Sequence, residues 1–482
     1  MRFYALLLIG LSPLVWACAK TEAPPTLLPL PKSLVYTGGS VTATLPVAVH
    51  RVDSLRELPL NPGQGYRLEV EQDSIYITAM DDDGEWNARQ TLRQLSHDGR
   101  IPRCRIIDWP SFRIRGWMMD CGRSYISLDE LKREIELLSR FKLNVFHWHL
   151  SENQAYRLES RRYPQLNDPE NMIRQPGRYY TQDEARDLVR YARERGVTVL
   201  PELDAPGHSA YFTRCFGFDM QSQEGKPIVL DLLDEFCEVF REVPWIHIGT
   251  DEVAFRDDDF PLALVEKVHS HGQKAVSWNP GYSYAPGGID MTQLWSYRGK
   301  ATPGVPAIDC RLHYLNHFDT YADLVGLHTS RICGVDEGSE NVAGSIVAVW
   351  NDRSLDSEAE IVRQNGLYAA ALALADRAWR GGGYQYFDDF GVILPREGPS
   401  RDDFMDFEER MLAFLPQTGS PYRKQCGLEW QISEAFPNGG ALESAFPPEE
   451  GDYDWDRSGT ATGAGIYFRH VWGSDRKSTR LN

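Results

Sequence analysis

The sequence has little positive charge for its size. Its 482 residues include 51 Lys and Arg against 69 Asp and Glu, so the formal net charge is -18 at pH 7. Proteins that bind nucleic acid need clustered basic side chains, because contacts with the phosphates supply much of the affinity. The shortage of cations therefore excludes nucleic acid as an expected partner, and the acidity otherwise indicates only good solubility.

Cysteine spacing of the kind used for zinc or redox chemistry is absent. No two of the eight cysteines are separated by two residues, which is the spacing of zinc knuckles and thioredoxin-type sites. Apart from Cys18, near the N-terminus, seven cysteines remain, so at least one thiol has no disulfide partner within the chain. Disulfides are compatible with an exported protein, but the sequence does not define their pairing.

The N-terminus lacks an apolar run long enough to span a membrane. Residues 5–15 form an apolar stretch with the length of a signal-peptide core. Val15-Trp16-Ala17-Cys18 then resembles the lipobox of bacterial lipoproteins. We expect residues 1–18 to be a signal peptide with Cys18 as the lipidated residue, and residues 19–31 to be a linker. The protein would then lie in the periplasm or at the cell surface, anchored by its lipid; an ordinary secretory signal is the alternative.

Aromatic side chains, by contrast, are abundant. The chain has 13 Trp and 22 Tyr, with 42% hydrophobic and 25% charged residues overall. The overall proportions are those of a soluble globular protein. Flat aromatic faces pack well against sugar rings, but Trp also fills large hydrophobic cores, so the composition leaves both interpretations open.

The length predicts more than one domain, and residues 32–108 have the pattern of a small α/β domain. Residues 66–70 and 74–78 alternate between apolar and polar side chains, as paired strands do, with a turn between them. Residues 85–96 have helical periodicity. Pro110 marks the end of this unit.

From residue 109 to residue 382 the pattern is strand, loop and helix, repeated. Eight such units in roughly 270 residues predict a (β/α)8 TIM barrel. A doubly wound sheet is the alternative, but no Gly-rich phosphate loop follows the first strand. The predicted strands are residues 115–120, 143–150, 197–202, 245–249, 275–278, 292–295, 310–314 and 346–350.

A third segment, residues 383–482, follows the barrel. Gly381-Gly382-Gly383 has the composition of a hinge or linker. Residues 404–414 are predicted to be helical, and residues 460–468 look like a strand of a β-rich module. Because the last residues offer this strand no apolar partner, we expect the C-terminal module to be incomplete.

Two acids stand side by side in His247-Ile248-Gly249-Thr250-Asp251-Glu252-Val253, after an apolar stretch that reads as a buried strand. Burying two adjacent carboxylates is expensive unless something pairs or uses them. Barrel enzymes place their chemistry at the carboxyl ends of their strands. Side chains of sequence neighbours leave the backbone in divergent directions, so Asp251 and Glu252 can act on one substrate only by contacting different parts of it.

Four motifs in a fixed order resemble glycoside hydrolase family 20, the β-N-acetylhexosaminidases. The resemblance covers residues ~24–380, because the unit at residues 32–108 also resembles the family's non-catalytic domain. The motifs are Arg115-Gly116-x-x-x-Asp120-x-x-Arg123-x-Tyr125, Phe146-His147-Trp148-His149-Leu150, Glu202-Leu203-Asp204-Ala205-Pro206-Gly207-His208-Ser209 and His247-Ile248-Gly249-Thr250-Asp251-Glu252-Val253.

The resemblance implies substrate-assisted hydrolysis with retention, in which the sugar's own 2-acetamido oxygen attacks the anomeric carbon. Glu252 would be the general acid and then the base, and Asp251 would hold the acetamide N–H and stabilise the oxazolinium. Tyr314 would donate its hydroxyl to the acetamide oxygen and so preorganise the attack. We expect the proximity of Asp251 to raise the pKa of Glu252.

The resemblance also implies a set of substrate-binding residues. Tryptophans at predicted strand ends would wall the acetamide pocket, Arg115 would clamp the 3- and 4-hydroxyls, and His208 would tune and orient Glu252. Asn316 and Asp352 would contact the 6- and 4-hydroxyls. A clamp at the non-reducing end implies exo cleavage. The full predicted set is Arg115, His149, Asp204, His208, Trp278, Trp295, Asn316, Trp350 and Asp352.

Three histidines raise the question of a metal. His147 and His149 share one face of a predicted strand, which is a spacing that metal ligands use, and His208 lies elsewhere. The family that the chain resembles needs no metal, and the nearby acids already have roles. We therefore expect neither a metal nor a cofactor.

Some positions depart from the family pattern. Gly249-Thr250 stands where Gly-Gly is usual, Ser151-Glu152-Asn153 replaces an Asp-Asp pair, and Asn279 replaces an acid. The predicted partner is a glycan with a terminal β-linked GlcNAc or GalNAc, and the sequence does not choose between them. Two alternatives stay open: a non-catalytic sugar-binding barrel, and a family member that releases disaccharides.

Overall fold

The computed structural model describes residues 25–56, 58, 63–296, 298–311, 314–315, 324–351, 357–358, 366–384 and 397–418. The predictions for Cys18, Asn316, Asp352 and the strand at 460–468 lie outside the described residues. Among the helices that are described, none is both long and apolar enough to cross a membrane.

The N-terminal domain is a five-stranded sheet with one helix on its face. Its strand order is β1-β5-β3-β4-β2. The helix begins three residues earlier than predicted, because the Asp81 side chain accepts a hydrogen bond from Gly84 N and caps its N-terminus. The elements are β1 (Ser33–Thr42), β2 (Val47–Arg51), β3 (Tyr66–Val70), β4 (Ile75–Ala79), α1 (Asp82–Leu95) and β5 (Arg100–Asp108).

Eight parallel strand positions close into a barrel, which confirms the predicted (β/α)8 fold. Closure is visible in the register, because the last strand pairs with both the seventh and the first. A small antiparallel hairpin, whose strands β8 and β9 have two residues each, lies just beyond the second barrel strand and is not part of the barrel. The strands are β6 (Ile114–Asp120), β7 (Val145–His149), β8 (Ser151–Glu152), β9 (Ala155–Tyr156), β10 (Thr198–Glu202), β11 (Trp245–His247), β12 (Lys274–Asn279), β13 (Met291–Leu294), β14 (Ala307–Asp309), β15 (Tyr314–Leu315) and β16 (Val342–Val349).

Helices surround the barrel and bury their apolar sides against it. Two helix starts have the side-chain caps that their local sequences favour: the Ser127 side chain accepts from Glu130 N, and Thr181 forms a capping box with Glu184. The helices are α2 (Leu128–Ser139), α3 (Gln182–Arg193), α4 (Ala210–Phe216), α5 (Gly225–Val239), α6 (Asp259–Ser270), α7 (Leu324–Thr329), α8 (Leu367–Arg380) and α9 (Pro399–Phe414).

The seventh barrel position differs from its prediction, residues 310–314. Two short pieces, β14 and β15, pair with successive parts of β16. The first piece ends at Asp309, whose carboxylate accepts hydrogen bonds from the backbone N and the Nε of Arg311, at 3.2 and 3.0 Å. A side chain that bonds to nearby backbone in this way competes with the strand ladder, so the strand is interrupted at this point.

The three glycines after α8 are not a hinge, contrary to the sequence prediction. Gly381 N donates to Arg377 O at 2.7 Å, and Gly382 N donates to Asp336 O at 2.6 Å. A Cβ at Gly381 would lie 2.4 Å from Ser111 Oγ, so only glycine fits there. The following helix, α9, packs its buried aromatic side chains into the main core, so it belongs to the barrel.

Candidate active site

The acid pair lies on the loop that follows β11, at the carboxyl end of the barrel. The loop turns through left-handed backbone at Gly249 (φ 69°) and Thr250 (φ 77°). A Cβ at Gly249 would lie 1.8 Å from Asp204 Oδ1, so glycine is obligatory at that position. A β-branched residue such as Thr250 rarely adopts this conformation, which costs about 1–3 kcal/mol. Beyond this turn both acids approach the same side chain, His208.

Asp251 and Glu252 converge on one imidazole. His208 Nε2 lies 3.2 Å from Glu252 Oε2 and 3.9 Å from Asp251 Oδ2. Their exposure differs sharply, because the side chain of Asp251 is 10% exposed and that of Glu252 is 52% exposed. The two neighbours therefore approach the same imidazole from different degrees of burial.

The pKa shifts are the reverse of the sequence prediction. Burial, together with the negative charges of Glu202 and Glu252, raises the pKa of Asp251 to about 7, against the opposing charge of His208. The hydrogen bond from His208 lowers the pKa of Glu252. We had expected the neighbouring carboxylate to raise the pKa of Glu252. That expectation is wrong, because the half-exposed Glu252 contacts the His208 imidazole directly, at 3.2 Å.

Behind His208 lies Glu152, a residue that the sequence analysis noted only as a departure from the family pattern. His208 Nδ1 is 3.0 Å from Glu152 Oε1, and Glu152 is buried. Contacts with Glu152 and Glu252 outweigh burial and raise the pKa of His208 to about 12. His208 thus contacts Glu252 as predicted, and Glu152 holds the imidazole from the other side.

His149 and Asp204 lie behind the acids rather than on an open surface. His149 Nδ1 is 2.6 Å from Glu202 Oε2, and its Nε2 is 3.6 Å from Glu152 Oε2. Asp204 is fully buried, and burial and the charge of Asp251 raise its pKa well above the usual value. The structure gives both residues carboxylate neighbours instead of an exposed face for a sugar.

Glu202, at the end of β10, organises the floor of the site. Its Oε2 is 2.8 Å from His147 Nε2, and its Oε1 accepts a hydrogen bond from Trp278 Nε1 at 2.7 Å and lies 3.0 Å from His247 Nδ1. All four side chains are buried. The residue stands in one of the four motifs, but only the fold shows that it collects side chains from three other strands.

Three sets of these side chains come close enough to share a metal ion, namely His147–Glu202–His247, His149–Glu152–Asp204 and Asp204–His208–Asp251. In the first and third sets the imidazole nitrogens already face carboxylates at contact distance. The second contains the His149–Glu152 contact. Because an imidazole of each set already faces a carboxylate, we assign no metal site, and the expectation of none stays a prediction.

The three predicted tryptophans meet at the same end of the barrel. The ring centroids of Trp278 and Trp350 are 5.9 Å apart. Trp295 belongs to the same buried cluster, and its Nε1 donates to Pro280 O at 2.6 Å. The rings therefore line the barrel interior next to the acid pair.

Arg115 does not reach this site, and its predicted role as a sugar clamp is wrong. It lies near the start of β6, at the opposite end of the barrel, and is fully buried. Its Nε donates to Lys142 O at 2.9 Å, its Nη1 donates to Phe112 O at 2.7 Å, and its guanidinium lies over the Trp379 ring. Burial lowers its pKa to about 9.

Arg123, the second arginine of the same motif, reaches the mouth of the site instead. Its Nη1 donates to Asp120 Oδ2 at 2.9 Å, and its Nη2 lies 3.1 Å from Glu152 Oε2. Its guanidinium lies 5.0 Å from the ring centroid of Trp350. The signal was available, because Arg123 follows the strand's carboxyl end whereas Arg115 precedes most of the strand.

Tyr314 is placed by its backbone only. It begins β15, where it pairs with Ala348, two residues before Trp350. This register puts Tyr314 at the carboxyl end of the barrel. Its predicted contact with the acetamide stays a prediction, as do the roles of Asn316 and Asp352, which lie outside the described residues.

A closed eight-stranded barrel whose acids, histidines and tryptophans gather at the carboxyl strand ends defines a (β/α)8-barrel enzyme. The family models specify it further. Residues 112–277 match the model "Glycosyl hydrolase family 20, catalytic domain", and residues 47–109 match "Glycosyl hydrolase family 20, domain 2". Residues 47–277 therefore belong to two consecutive domains of glycoside hydrolase family 20.

Curated relatives agree with this assignment. The chain is similar to a beta-hexosaminidase of Vibrio furnissii, with 35% identity over 41% of this chain and 39% of that protein. It is also similar to a beta-hexosaminidase of Porphyromonas gingivalis, with 33% identity over 50% of this chain and 38% of that protein. The chain thus spans about two fifths of the length of these relatives.

Solved structures share the fold. A β-N-acetylhexosaminidase from Bacteroides fragilis superposes with a TM-score of 0.65 at 22% identity, over 82% of this chain and 96% of that one. An exo β-N-acetylglucosaminidase from Vibrio harveyi in complex with N-acetylglucosamine superposes with a TM-score of 0.63 at 20% identity, over 83% of this chain and 79% of that one.

Proposed function

We propose that the protein is an exo-acting, retaining β-N-acetylhexosaminidase that hydrolyses terminal β-linked GlcNAc or GalNAc. The observation that carries this proposal is the convergence of Asp251 and Glu252 on His208, beside the tryptophan-lined end of the barrel. The family membership and the names of the curated relatives support it.

The positions of the two acids favour substrate-assisted hydrolysis. Conventional glycosidases place two carboxylates about 5 Å or more apart on opposite sides of the scissile bond. Here Asp251 and Glu252 approach the same imidazole nitrogen, so they approach the substrate from one side. The substrate's acetamide oxygen then supplies the nucleophile.

In the first step the acetamide oxygen forms a bond to the anomeric carbon as the glycosidic C–O bond breaks. Glu252 gives its proton to the leaving oxygen, and the negative charge of Asp251 stabilises the positive oxazolinium through its N–H. In the second step Glu252 takes a proton from water, which attacks the anomeric carbon and reopens the ring. Two displacements at one carbon give retention of configuration.

The substrate itself must adjust the two pKa values. A bound sugar displaces water from the half-exposed Glu252, and this desolvation raises the pKa of the carboxyl toward that of a working acid. The acetamide N–H donates to Asp251, which favours the carboxylate form over the protonated one. Binding therefore lowers the pKa of Asp251, which the protein alone raises, and raises the pKa of Glu252, which the protein alone lowers.

The position of Arg123 supports exo action. The guanidinium lies between two acids and the ring of Trp350, at the mouth of the site. An arginine there can hold the hydroxyls of the terminal sugar ring. A ring held at this end cannot continue into a further sugar, so cleavage would release one residue at a time.

The test compares aryl β-N-acetylglucosaminide, aryl β-N-acetylgalactosaminide and plain aryl β-glucoside. We expect turnover of at least one N-acetyl substrate and at least a hundredfold lower kcat/KM for the glucoside, which lacks the internal nucleophile. Equal turnover of the glucoside would refute substrate assistance. Binding of chitooligosaccharides without hydrolysis would instead support the sugar-binding alternative.

We also propose that the protein is exported and anchored to a membrane through a lipid on Cys18. The support is the Val15-Trp16-Ala17-Cys18 sequence after a short apolar stretch. Labelling of cells with a radioactive fatty acid should mark the protein, and the Cys18→Ala variant should lose the label. Label retained in that variant would exclude Cys18 as the lipidated residue.

A further inference from the structure

Five side chains form a row of alternating carboxylates and imidazoles from the barrel core to the acid pair. His149 lies between Glu202 and Glu152, at 2.6 and 3.6 Å. Glu152 lies 3.0 Å from His208, which lies 3.2 Å from Glu252. The 3.6 Å contact is longer than a hydrogen bond, so at that point the coupling is between charges.

His149 has a carboxylate facing each of its two ring nitrogens. Burial opposes its charge, but contacts with Glu202 and Glu152 outweigh burial and raise its pKa well above the usual value. An imidazolium between two carboxylates offsets their mutual repulsion. The charge of Glu152 that reaches His208 therefore depends on His149.

His147 provides the comparison within the same strand. It contacts the same oxygen, Glu202 Oε2, at 2.8 Å and is equally buried. Burial lowers its pKa to about 4, so it is neutral. Its Nδ1 faces Gln293 Nε2 at 3.2 Å, so the row of charges does not continue through His147.

We propose, as a refinement that rests on the proposed function, that His149 is a positioning residue that sets the ionisation of Glu252 through Glu152 and His208. If protonated His149 were removed, the negative charges of Glu202 and Glu152 would be less compensated. The pKa of Glu252 would then rise, because a proton on Glu252 would be held more tightly. The charged groups that face this row from the neighbouring elements are Asp120, Arg123, Asp204 and Asp251.

The decisive experiment compares His149→Gln with His147→Gln in the full chain. The readout is the pH profile of kcat/KM on an aryl β-N-acetylglucosaminide, whose basic limb reports the proton on Glu252. We expect His149→Gln to move this limb up by about half a pH unit or more. His147→Gln, which removes an equally buried contact with Glu202, should leave the limb in place. The proposal would be overturned if the basic limb of His149→Gln coincided with that of the unaltered protein. It would also be overturned if the limb moved equally in both variants.

A second measurement needs no variant to fold. In the intact protein labelled with ¹⁵N-histidine, at least two imidazoles should keep both ring nitrogens protonated at about pH 8.5, well above an ordinary histidine pKa. His149 and His208 are the two expected. Fewer than two such signals would overturn the proposal.

The two levels of failure are distinguishable. If the unaltered protein cleaves no N-acetylhexosaminide, the proposed function fails, while the histidine spectrum still reports whether His149 is charged. If the unaltered protein is active and the limbs of the variants coincide with its own, only the role of His149 fails.

Discussion

The two ends of the barrel use similar residues for different purposes. At the amino end, Lys142 Nζ donates to Asp108 Oδ2 at 2.9 Å, and Trp379 Nε1 donates to Asp108 Oδ1 at 2.8 Å. At the carboxyl end, Asp204 Oδ1 and Asp251 Oδ1 are buried without a hydrogen-bond partner among the residues that the structure describes. Paired buried charges hold elements together, whereas unpaired buried acceptors are costly and are typical of sites that await a ligand.

The two arginines of one motif show the same contrast. Arg115 packs at the amino end against Lys142 and Trp379, and Arg123 reaches Glu152 and the ring of Trp350 at the carboxyl end. Most of β6 separates them, and a strand rises about 3.3 Å per residue. A motif read only as a string of letters does not show this separation.

The largest expected effect is at the carboxyl end. Glu252→Gln removes the proposed acid and should lower kcat at least a hundredfold on a substrate with a poor leaving group. Because the side chain is half exposed, the melting temperature should change little. Glu242→Gln, on the exposed surface after α5, is the matched control and should keep full activity. Activity of Glu252→Gln within a few-fold of the unaltered protein would contradict its role.

The second effect separates the arginines. Arg115→Met leaves the site intact but removes buried hydrogen bonds, so it should cost about 2–4 kcal/mol of unfolding free energy with KM unchanged. Arg123→Met should raise KM about tenfold or more. Urea denaturation and steady-state kinetics measure the two quantities. A raised KM in the folded Arg115→Met protein would restore the original assignment of the sugar clamp.

A third effect concerns pH. Burial raises the pKa of Asp251 to about 7, whereas an unfolded Asp titrates near about 3.9. Between those values the folded state holds more protons, so this group lowers the unfolding free energy as the pH rises. The unfolding free energy of Asp251→Asn, measured relative to that of the unaltered protein, should therefore rise by about 1–3 kcal/mol from about pH 5 to about pH 8.

Urea denaturation at the two pH values tests this difference. Asp73→Asn, in the exposed turn between β3 and β4, serves as the control and should show no change in relative stability. If the stability difference between Asp251→Asn and the unaltered protein were the same at both pH values, Asp251 would not be the buried group that titrates.

The smallest effect tests the strained turn. Thr250→Gly and Thr250→Ala both remove the buried side chain, but only glycine relieves the left-handed backbone at φ 77°. The glycine variant should therefore be more stable than the alanine variant by about 1 kcal/mol, which reverses the usual order in regular structure. Thermal unfolding of the two variants decides it, and a more stable alanine variant would mean that the turn is not strained.

Much of the fold was predictable because it depends on periodicity. Apolar runs of strand length alternate with amphipathic helices. The residues that cap the N-termini of α2 and α3, Ser127 and Thr181, bond to residues only three positions along the chain. The seventh strand was misplaced because the contacts between Asp309 and Arg311 that interrupt it are side-chain hydrogen bonds. The glycines after α8 were misread as a hinge because their packing partners, such as Ser111, are remote in sequence.

The candidate site divides in the same way. The motifs identified Asp251, Glu252 and His208, because adjacent acids after a buried strand are conspicuous in any reading of the chain. They did not predict that the pKa of Asp251 is raised while that of Glu252 is lowered, since those shifts depend on exposure and on distances to other loops.

The amino-acid order alone determined the barrel and the end of it that holds the chemistry, because strand length and helix periodicity are local properties. Only the tertiary structure decided which arginine faces the site and which acid holds its proton more tightly. It also placed His149 between Glu202 and Glu152. Ionisation depends on charges within a few ångströms and on the exclusion of water, and these neighbours come from different strands.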